Sequence, residues 1–292
     1  MKKYKKLLVA LLSIIAITIA GYQITPSLGQ ITEPSNTVIS TDEESSVYYL
    51  DVGQGNCIVI KSGNDVVMYD TGDNNSGETI VDWLNANGIE SIDYLVGSHP
   101  DADHIGGMDT VILNTDVKNI YLTDHISTTK TYNDVLDAID EKNLEITLVE
   151  PNKTIDLDNG TITFLAPLHE YDESNDSSVV MLYEDGYHHK FIFTGDISSG
   201  VENELLDNNI NVQADVYLVA HHGSKSSNST NFLKAVNPSI AIISVGENSY
   251  GHPTTEVINR LNELNIETYR TDEKGTIKVI SDENGLTVET EK

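Results

Sequence analysis

Short apolar runs closed by Gly, Pro, Asn, Asp or Ser recur along the chain, with stretches of helical spacing between them. Runs of that length bounded by turn formers read as buried strands. Residues 47–52 and 57–61 are two such strands, joined by the turn Gly53-Gln54-Gly55-Asn56, and a third at 66–69 runs into Asp70-Thr71-Gly72. Over 76–87 the residues Ile80, Trp83 and Leu84 share one helical face, and Gly88 is a stop. Strands at 94–96 and 119–122 and a helix around 132–142 follow. The second half holds strands at 161–165, 178–183, 190–194, 216–220 and 240–245, helices near 200–206, 230–236 and 255–264, and two terminal strands. Strands and helices in both halves predict an α/β fold: an αββα sandwich of two mixed β-sheets packed face to face, with helices on the outer faces. No strong linker interrupts 46–292, which is one domain, and its two halves show no residue-level repeat.

The first residues belong to a different pattern. Lys2, Lys3, Lys5 and Lys6 precede an apolar run to about Tyr22, the plan of a signal peptide or N-terminal membrane anchor over 1–22. Residues 23–45, rich in Ser, Thr, Pro, Gly and Asn, read as a flexible linker. The expected location is therefore secreted or extracytoplasmic, with membrane anchoring through the N-terminus left open. The lone Cys57, inside an apolar run, is a packing residue and cannot form an internal disulfide.

Charge changes the picture most. The 292 residues carry 46 acids against 17 Lys plus Arg, a formal net charge of −29. Such a chain repels nucleic acid and anionic membranes unless metals or a local basic patch intervene.

Candidate chemistry gathers directly after the strands. The stretch Leu95-Val96-Gly97-Ser98-His99-Pro100-Asp101-Ala102-Asp103-His104-Ile105-Gly106-Gly107 puts two imidazoles and two carboxylates within six residues. Phe193-Thr194-Gly195-Asp196 places another acid beyond a buried strand, and Ala220-His221-His222-Gly223-Ser224 places two histidines in the same relation to the next. A polar loop then leads to Gly251-His252-Pro253, and Asn175-Asp176-Ser177-Ser178 precedes another strand. Hard oxygens and imidazoles converging from strand ends are the donor set of a divalent metal site. Adjacent side chains at a strand end diverge, so one of His221 and His222 lies outside the coordination shell.

His99-x-Asp101-x-Asp103-His104 resembles the His-x-His-x-Asp-His motif of the metallo-β-lactamase superfamily. Leu50-Asp51-Val52-Gly53-Gln54-Gly55-Asn56, the 98–107 stretch, Phe193-Thr194-Gly195-Asp196, Ala220-His221-His222-Gly223-Ser224 and Tyr250-Gly251-His252-Pro253 resemble the extracytoplasmic hydrolase domain of ComEC-type competence proteins, in matching order from 47 to 279. The resemblance implies two divalent ions, zinc or manganese, with one-metal occupancy left open. His99 and Asp101 would bind the first, Asp103 and His104 the second; Asp196 would bridge them and His221 complete the second site. Asp176 or Asn175 stands nearest the usual third-motif histidine. Asp101 replaces the middle histidine, which makes the first site harder and moves its preference towards manganese. Asp103 would also orient the nucleophile, and His222 or His252 would give a proton to the leaving oxygen or hold phosphate.

The expectation is an exported metal-dependent hydrolase of phosphoester bonds, a nuclease or phosphodiesterase. Its substrate would be DNA, a small phosphodiester or an envelope phosphodiester. No protein partner is inferred. The competing readings are a metal-stabilised binding module without catalysis and a hydrolase of another ester or envelope substrate.

Overall fold

A computed structural model describes residues 45–292. The signal or anchor expected at 1–22 and nearly all of the linker expected at 23–45 lie outside the described residues. Ser45, assigned to the linker for its polarity, is the first residue of a strand and is fully buried; its Oγ accepts from Asn159 Nδ2 at 3.1 Å.

In chain order the first half contains β1 (Ser45–Tyr49), β2 (Ile58–Ser62), β3 (Asp65–Tyr69), α1 (Gly77–Ala86), β4 (Ser91–Val96), α2 (Ala102–Ile105), α3 (Met108–Asn114), β5 (Asp116–Leu122), α4 (Lys130–Glu141) and β6 (Ile146–Leu148). The second contains β7 (Thr154–Leu157), β8 (Gly160–Ala166), β9 (Val180–Asp185), β10 (Lys190–Phe193), α5 (Ser199–Asp207), β11 (Val216–Leu218), α6 (Thr230–Val236), β12 (Ile240–Ile243), α7 (Thr255–Glu263), β13 (Glu267–Arg270), α8 (Thr271–Lys274), β14 (Ile277–Asp282) and β15 (Gly285–Thr290).

One sheet runs β15-β14-β1-β2-β3-β4-β5-β6 and the other β13-β12-β11-β10-β9-β8-β7. In both, an antiparallel part meets a parallel part, β3 to β6 in the first and β10 to β13 in the second. Two mixed sheets with helices on them are the expected sandwich. Central strands are buried on both faces, and alternate residues feed different cores. Val67 and Tyr69 of β3 join the inter-sheet core, while Val66 and Met68 pack under α1 and α3. Likewise Val216 and Leu218 of β11 face the other sheet, and Tyr217 faces α5 and α6. Double burial explains why these strands read as unbroken apolar runs rather than alternations.

Helix starts follow side-chain chemistry. Thr129, Ser198, Ser229 and Thr254 each accept a backbone N–H from the first turn of α4, α5, α6 and α7. Among the described residues, no helix is long and apolar enough to cross a membrane.

Candidate metal centre

The loops that follow β3, β4, β10 and β11 meet where the carboxyl ends of the two parallel blocks come together, the usual place for a site on parallel strands. The β4 loop is pinned from several sides. Asp70, just beyond β3, accepts Ser98 N–H at 2.7 Å and Ser98 O–H at 2.8 Å. Asn56 N–H and Thr71 N–H donate to the carbonyls of Asp103 and His104 at 3.1 and 2.6 Å. Gly106 lies so close to Asp73, Asn74 and Ala102 that a Cβ would meet backbone atoms within 2.3 Å, so no other residue fits. The short helix α2 begins after Asp101 and turns His104 inwards.

From the other sheet, Gly195 takes the left-handed conformation (φ 51°) that lets Asp196 turn back over the end of β10. The backbone N–H of Asp196 donates to Ser178 Oγ at 3.0 Å. Beyond β11, His221 and His222 both have φ 51°, two consecutive non-glycine residues in the left-handed region. Such residues are strained and need support. Asn228 supplies it: its Oδ1 accepts Tyr217 O–H at 2.7 Å and Ala220 N–H at 3.1 Å, and its Nδ2 donates to Ala220 O at 2.9 Å. Buried Glu202 in turn accepts the backbone N–H groups of Asn228 and Ser229.

Three buried imidazoles are aimed by the same device. His104 Nδ1–H donates to Asp70 Oδ2 at 2.8 Å, His99 Nδ1–H to Ser98 Oγ at 3.0 Å, and His222 Nδ1–H to Ser244 O at 2.7 Å. Each arrangement leaves Nε2 as the free lone pair, the orientation a metal-ligating histidine needs. His99, His104 and Asp196 offer ligand atoms within 4.8 Å of one another, and so do Asp103, His104 and His222. Asp196 Oδ1 is 3.2 Å from His104 Nε2, and Asp103 Oδ2 is 3.4 Å from His222 Nε2.

The Nε2 atoms of His99, His104 and His222 and Oδ1 of Asp196 are all buried without a hydrogen-bond partner. Each such atom costs about 1–3 kcal/mol when nothing satisfies it. They fall in two overlapping groups that share His104, and such mixed nitrogen and oxygen donors fit a divalent cation.

Electrostatics agrees. Burial opposes ionisation of Asp196, but the imidazoles of His104 and His222 outweigh it and hold the carboxyl well below the usual range. Asp103 is held down similarly, burial being overcome by the nearby imidazoles of His222 and His104. Burial lowers the pKa of His104, yet the carboxylates of Asp196 and Asp70 overcome it and raise it well above the ordinary value; His222 is raised on the same balance by Asp196 and Asp103.

The expected site residues divide accordingly. His99, Asp103, His104, Asp196 and His222 come together. Asp101 sits on the open side, its Oδ2 3.7 Å from His99 Nε2 and its Oδ1 accepting Ser174 O–H at 2.7 Å. His221 stands at the mouth, a quarter exposed, with Nε2 3.5 Å from Asp196 Oδ2. Of the two adjacent histidines, geometry groups His222 rather than His221 with Asp103 and His104. His252 packs edge-on to His221, ring centres 5.4 Å apart. Burial lowers the pKa of both mouth histidines. Asp176 is not brought to the cluster; its Oδ1 accepts the N–H of Ser198 at the start of α5. Ser178 occupies the ground between, in contact with His99 Nδ1 at 3.3 Å. Asp70 follows β3 directly, in a turn that stabilises the β4 loop at the edge of the site, while Asn228, in a Ser-rich loop, carries no signal of its own in the sequence.

A family model described as the Metallo-beta-lactamase superfamily matches residues 50–247. ComE operon protein 3 of Bacillus subtilis (strain 168) is 30% identical over 254 residues, 80% of this chain and 33% of that protein. Competence protein ComA of Neisseria gonorrhoeae is 30% identical over 244 residues, 81% of this chain and 32% of that protein. The chain thus spans a third of the length of these curated relatives. The solved metallo-beta-lactamase fold protein YhfI from Bacillus subtilis superposes with a TM-score of 0.53 at 13% identity, covering 80% of this chain and 99% of that one, a likeness of fold alone. The matched stretch contains both ligand groups and every loop that builds them, and the chain belongs to the metallo-β-lactamase superfamily.

Proposed function

We propose that the protein is an exported metal-dependent phosphoester hydrolase, acting on a phosphodiester. The observation that carries this is the presence of four buried, unpartnered ligand atoms within two adjoining donor groups that share His104. His99, His104 and Asp196 would hold one divalent ion, with Asp101 available from the open side; the one free lone pair of His104 serves a single ion, so a second would rest on Asp103 and His222. A bound divalent ion supplies Lewis acidity and an activated water at neutral pH. Three imidazoles beside two or three carboxylates make a mixed donor set that suits zinc or manganese.

The chain's own residues supply position and proton control. Asp103, a third exposed, can accept a hydrogen bond from the attacking water. Both nitrogens of His222 are engaged, one with Ser244 O and one towards the cluster, so contact with the phosphate falls to His221 and His252 at the mouth. Lowered pKa values keep these two neutral at pH 7, able to offer an N–H to a non-bridging oxygen rather than to act as strong acids. One relative is named a competence protein, and with the likeness to the hydrolase domain of ComEC-type competence proteins this favours a nucleic-acid phosphodiester over other esters. Export rests on the lysine-led apolar N-terminus.

The test is hydrolysis of bis-p-nitrophenyl phosphate by the metal-stripped protein supplemented with manganese or zinc, with nitrocefin as the β-lactam control. Turnover restored by a divalent ion and abolished in Asp196→Ala supports the reading. A folded protein that binds metal without turning over either compound is a binding module instead. Turnover of nitrocefin alone makes it a hydrolase of another bond.

A further inference from the structure

Among the described residues five large apolar side chains stand exposed, and the two most exposed are Ile126 at 74% and Tyr250 at 73%. Both lie on loops after parallel strands, Ile126 after β5 and Tyr250 after β12, on the same edge as the metal-centre loops. Tyr250 is held there. Asn248 Oδ1 accepts the backbone N–H groups of Tyr250, Gly251 and His252 at 3.1, 3.0 and 3.1 Å, while its Nδ2 donates to Gly246 O and His252 O at 2.9 and 2.8 Å. The Tyr250 ring stacks on His252, centres 5.8 Å apart and planes 30° apart. His252 meets His221 edge-on, and His221 reaches Asp196. A rigid ring face is thus presented to solvent two side chains from the candidate metal centre.

A phosphodiester polymer approaching a chain of net charge −29 gains nothing from Coulomb attraction. An aromatic face works at any surface charge, because every nucleobase has a π-face to lay on it. Tyr250 has one ring neighbour, His252, and so offers a single flat face. That suits a planar partner better than a quaternary ammonium, which is held by several rings around it. We propose that the free face of Tyr250 stacks a nucleobase of the substrate, with the adjoining phosphate directed to His221, His252 and the metal centre. The substrate class is then a nucleoside phosphodiester with an unpaired base, an assignment that rests on the phosphoesterase reading.

Thymidine 5′-(p-nitrophenyl phosphate) and methyl p-nitrophenyl phosphate share a leaving group and differ in the base; p-nitrophenyl phosphorylcholine replaces the base by a cation. With the full chain, Tyr250→Ala should raise KM for the thymidine ester about tenfold, the loss expected of one stacked base. Its kcat, and KM for the methyl ester, should change less than about twofold, and Tyr250→Phe should behave as wild type. Equal losses on thymidine and methyl esters, or a larger loss on the phosphorylcholine ester, overturn the assignment. Binding of a fluorescent oligothymidylate, followed by anisotropy in wild type and Tyr250→Ala, reads the same contact without turnover. If no ester is hydrolysed, the phosphoesterase reading fails, while unequal binding still upholds the stacking contact and equal binding removes it.

Discussion

Asp70 makes no contact that chemistry on a substrate would need, yet it decides what His104 can do. Its two oxygens accept Ser98 N–H, Ser98 O–H and His104 Nδ1–H, and the last of these fixes Nε2 as the free lone pair. Asp70 also has φ 61°, a conformation that asparagine tolerates. Asp70→Asn should therefore fold, but its amide can face His104 with a donor and push the proton to Nε2. Metal affinity should fall about 10- to 100-fold, the usual loss when a histidine's orienting partner is removed. Competition with a chromophoric chelator measures this, and unchanged affinity would show that Asp70 does not aim the ligand. Asp70 follows its apolar strand directly and Asp196 comes after Thr194 and Gly195, yet neither spacing alone says which acid faces the donor groups. Only the way the two sheets face each other makes one an orienting group and places the other among the candidate metal donors.

At the scale of elements, the double-histidine turn shows where sequence reading reached and where it stopped. Central strands were legible because burial on both faces leaves unbroken apolar runs. The strands missed were β6, β7 and β13, edge strands on which solvent-facing residues such as Thr147, Asp156 and Glu267 break the run. Loops after the legible strands could be named as ligand carriers for the same reason. The choice between His221 and His222 was not legible. Both residues adopt left-handed backbone, so strand alternation no longer says which side chain points inwards. The turn that carries both histidines is held by Asn228, eight residues away from Ala220 in the chain and itself held by Glu202. Asn228→Ala removes the partners of Tyr217 O–H and Ala220 O and puts alanine at φ 60°, a loss of about 3 kcal/mol in total. Thermal denaturation should shift down by about 5–10 °C. The metal-induced rise in Tm should shrink as well, because His222 is no longer held. A drop in Tm with metal binding intact would reduce Asn228 to a packing role.

Across the whole molecule, charge couples stability to both protons and salt. His104 and His222 have raised pKa values in the metal-free fold, so their contribution is fully present below the unfolded histidine value and is lost as pH rises through the raised one. Metal needs those imidazoles neutral and displaces the protons. Asp103 and Asp196, held low, stay ionised throughout and do not alter the sign. As pH rises above the unfolded histidine value of about 6.5, the Tm of chelator-treated protein should fall while the stabilisation by added manganese or zinc grows. Parallel curves would break this linkage. Salt acts through the net charge. Residues 1–44 hold four lysines and four acids, so the whole excess of −29 resides in residues 45–292, on the domain that must meet the substrate. Monovalent salt raised from about 10 to about 100 mM shortens the screening length from about 30 to about 10 Å. For an oligonucleotide substrate this weakens repulsion, and kcat/KM should rise; for methyl p-nitrophenyl phosphate, with one charge, it should change little. A protein that gathers nucleic acid on a basic groove shows the opposite slope, losing affinity steeply with salt. A steep fall of kcat/KM on the oligonucleotide would mean that local cations, protein or metal, dominate the field at the mouth despite the acidic surface around it.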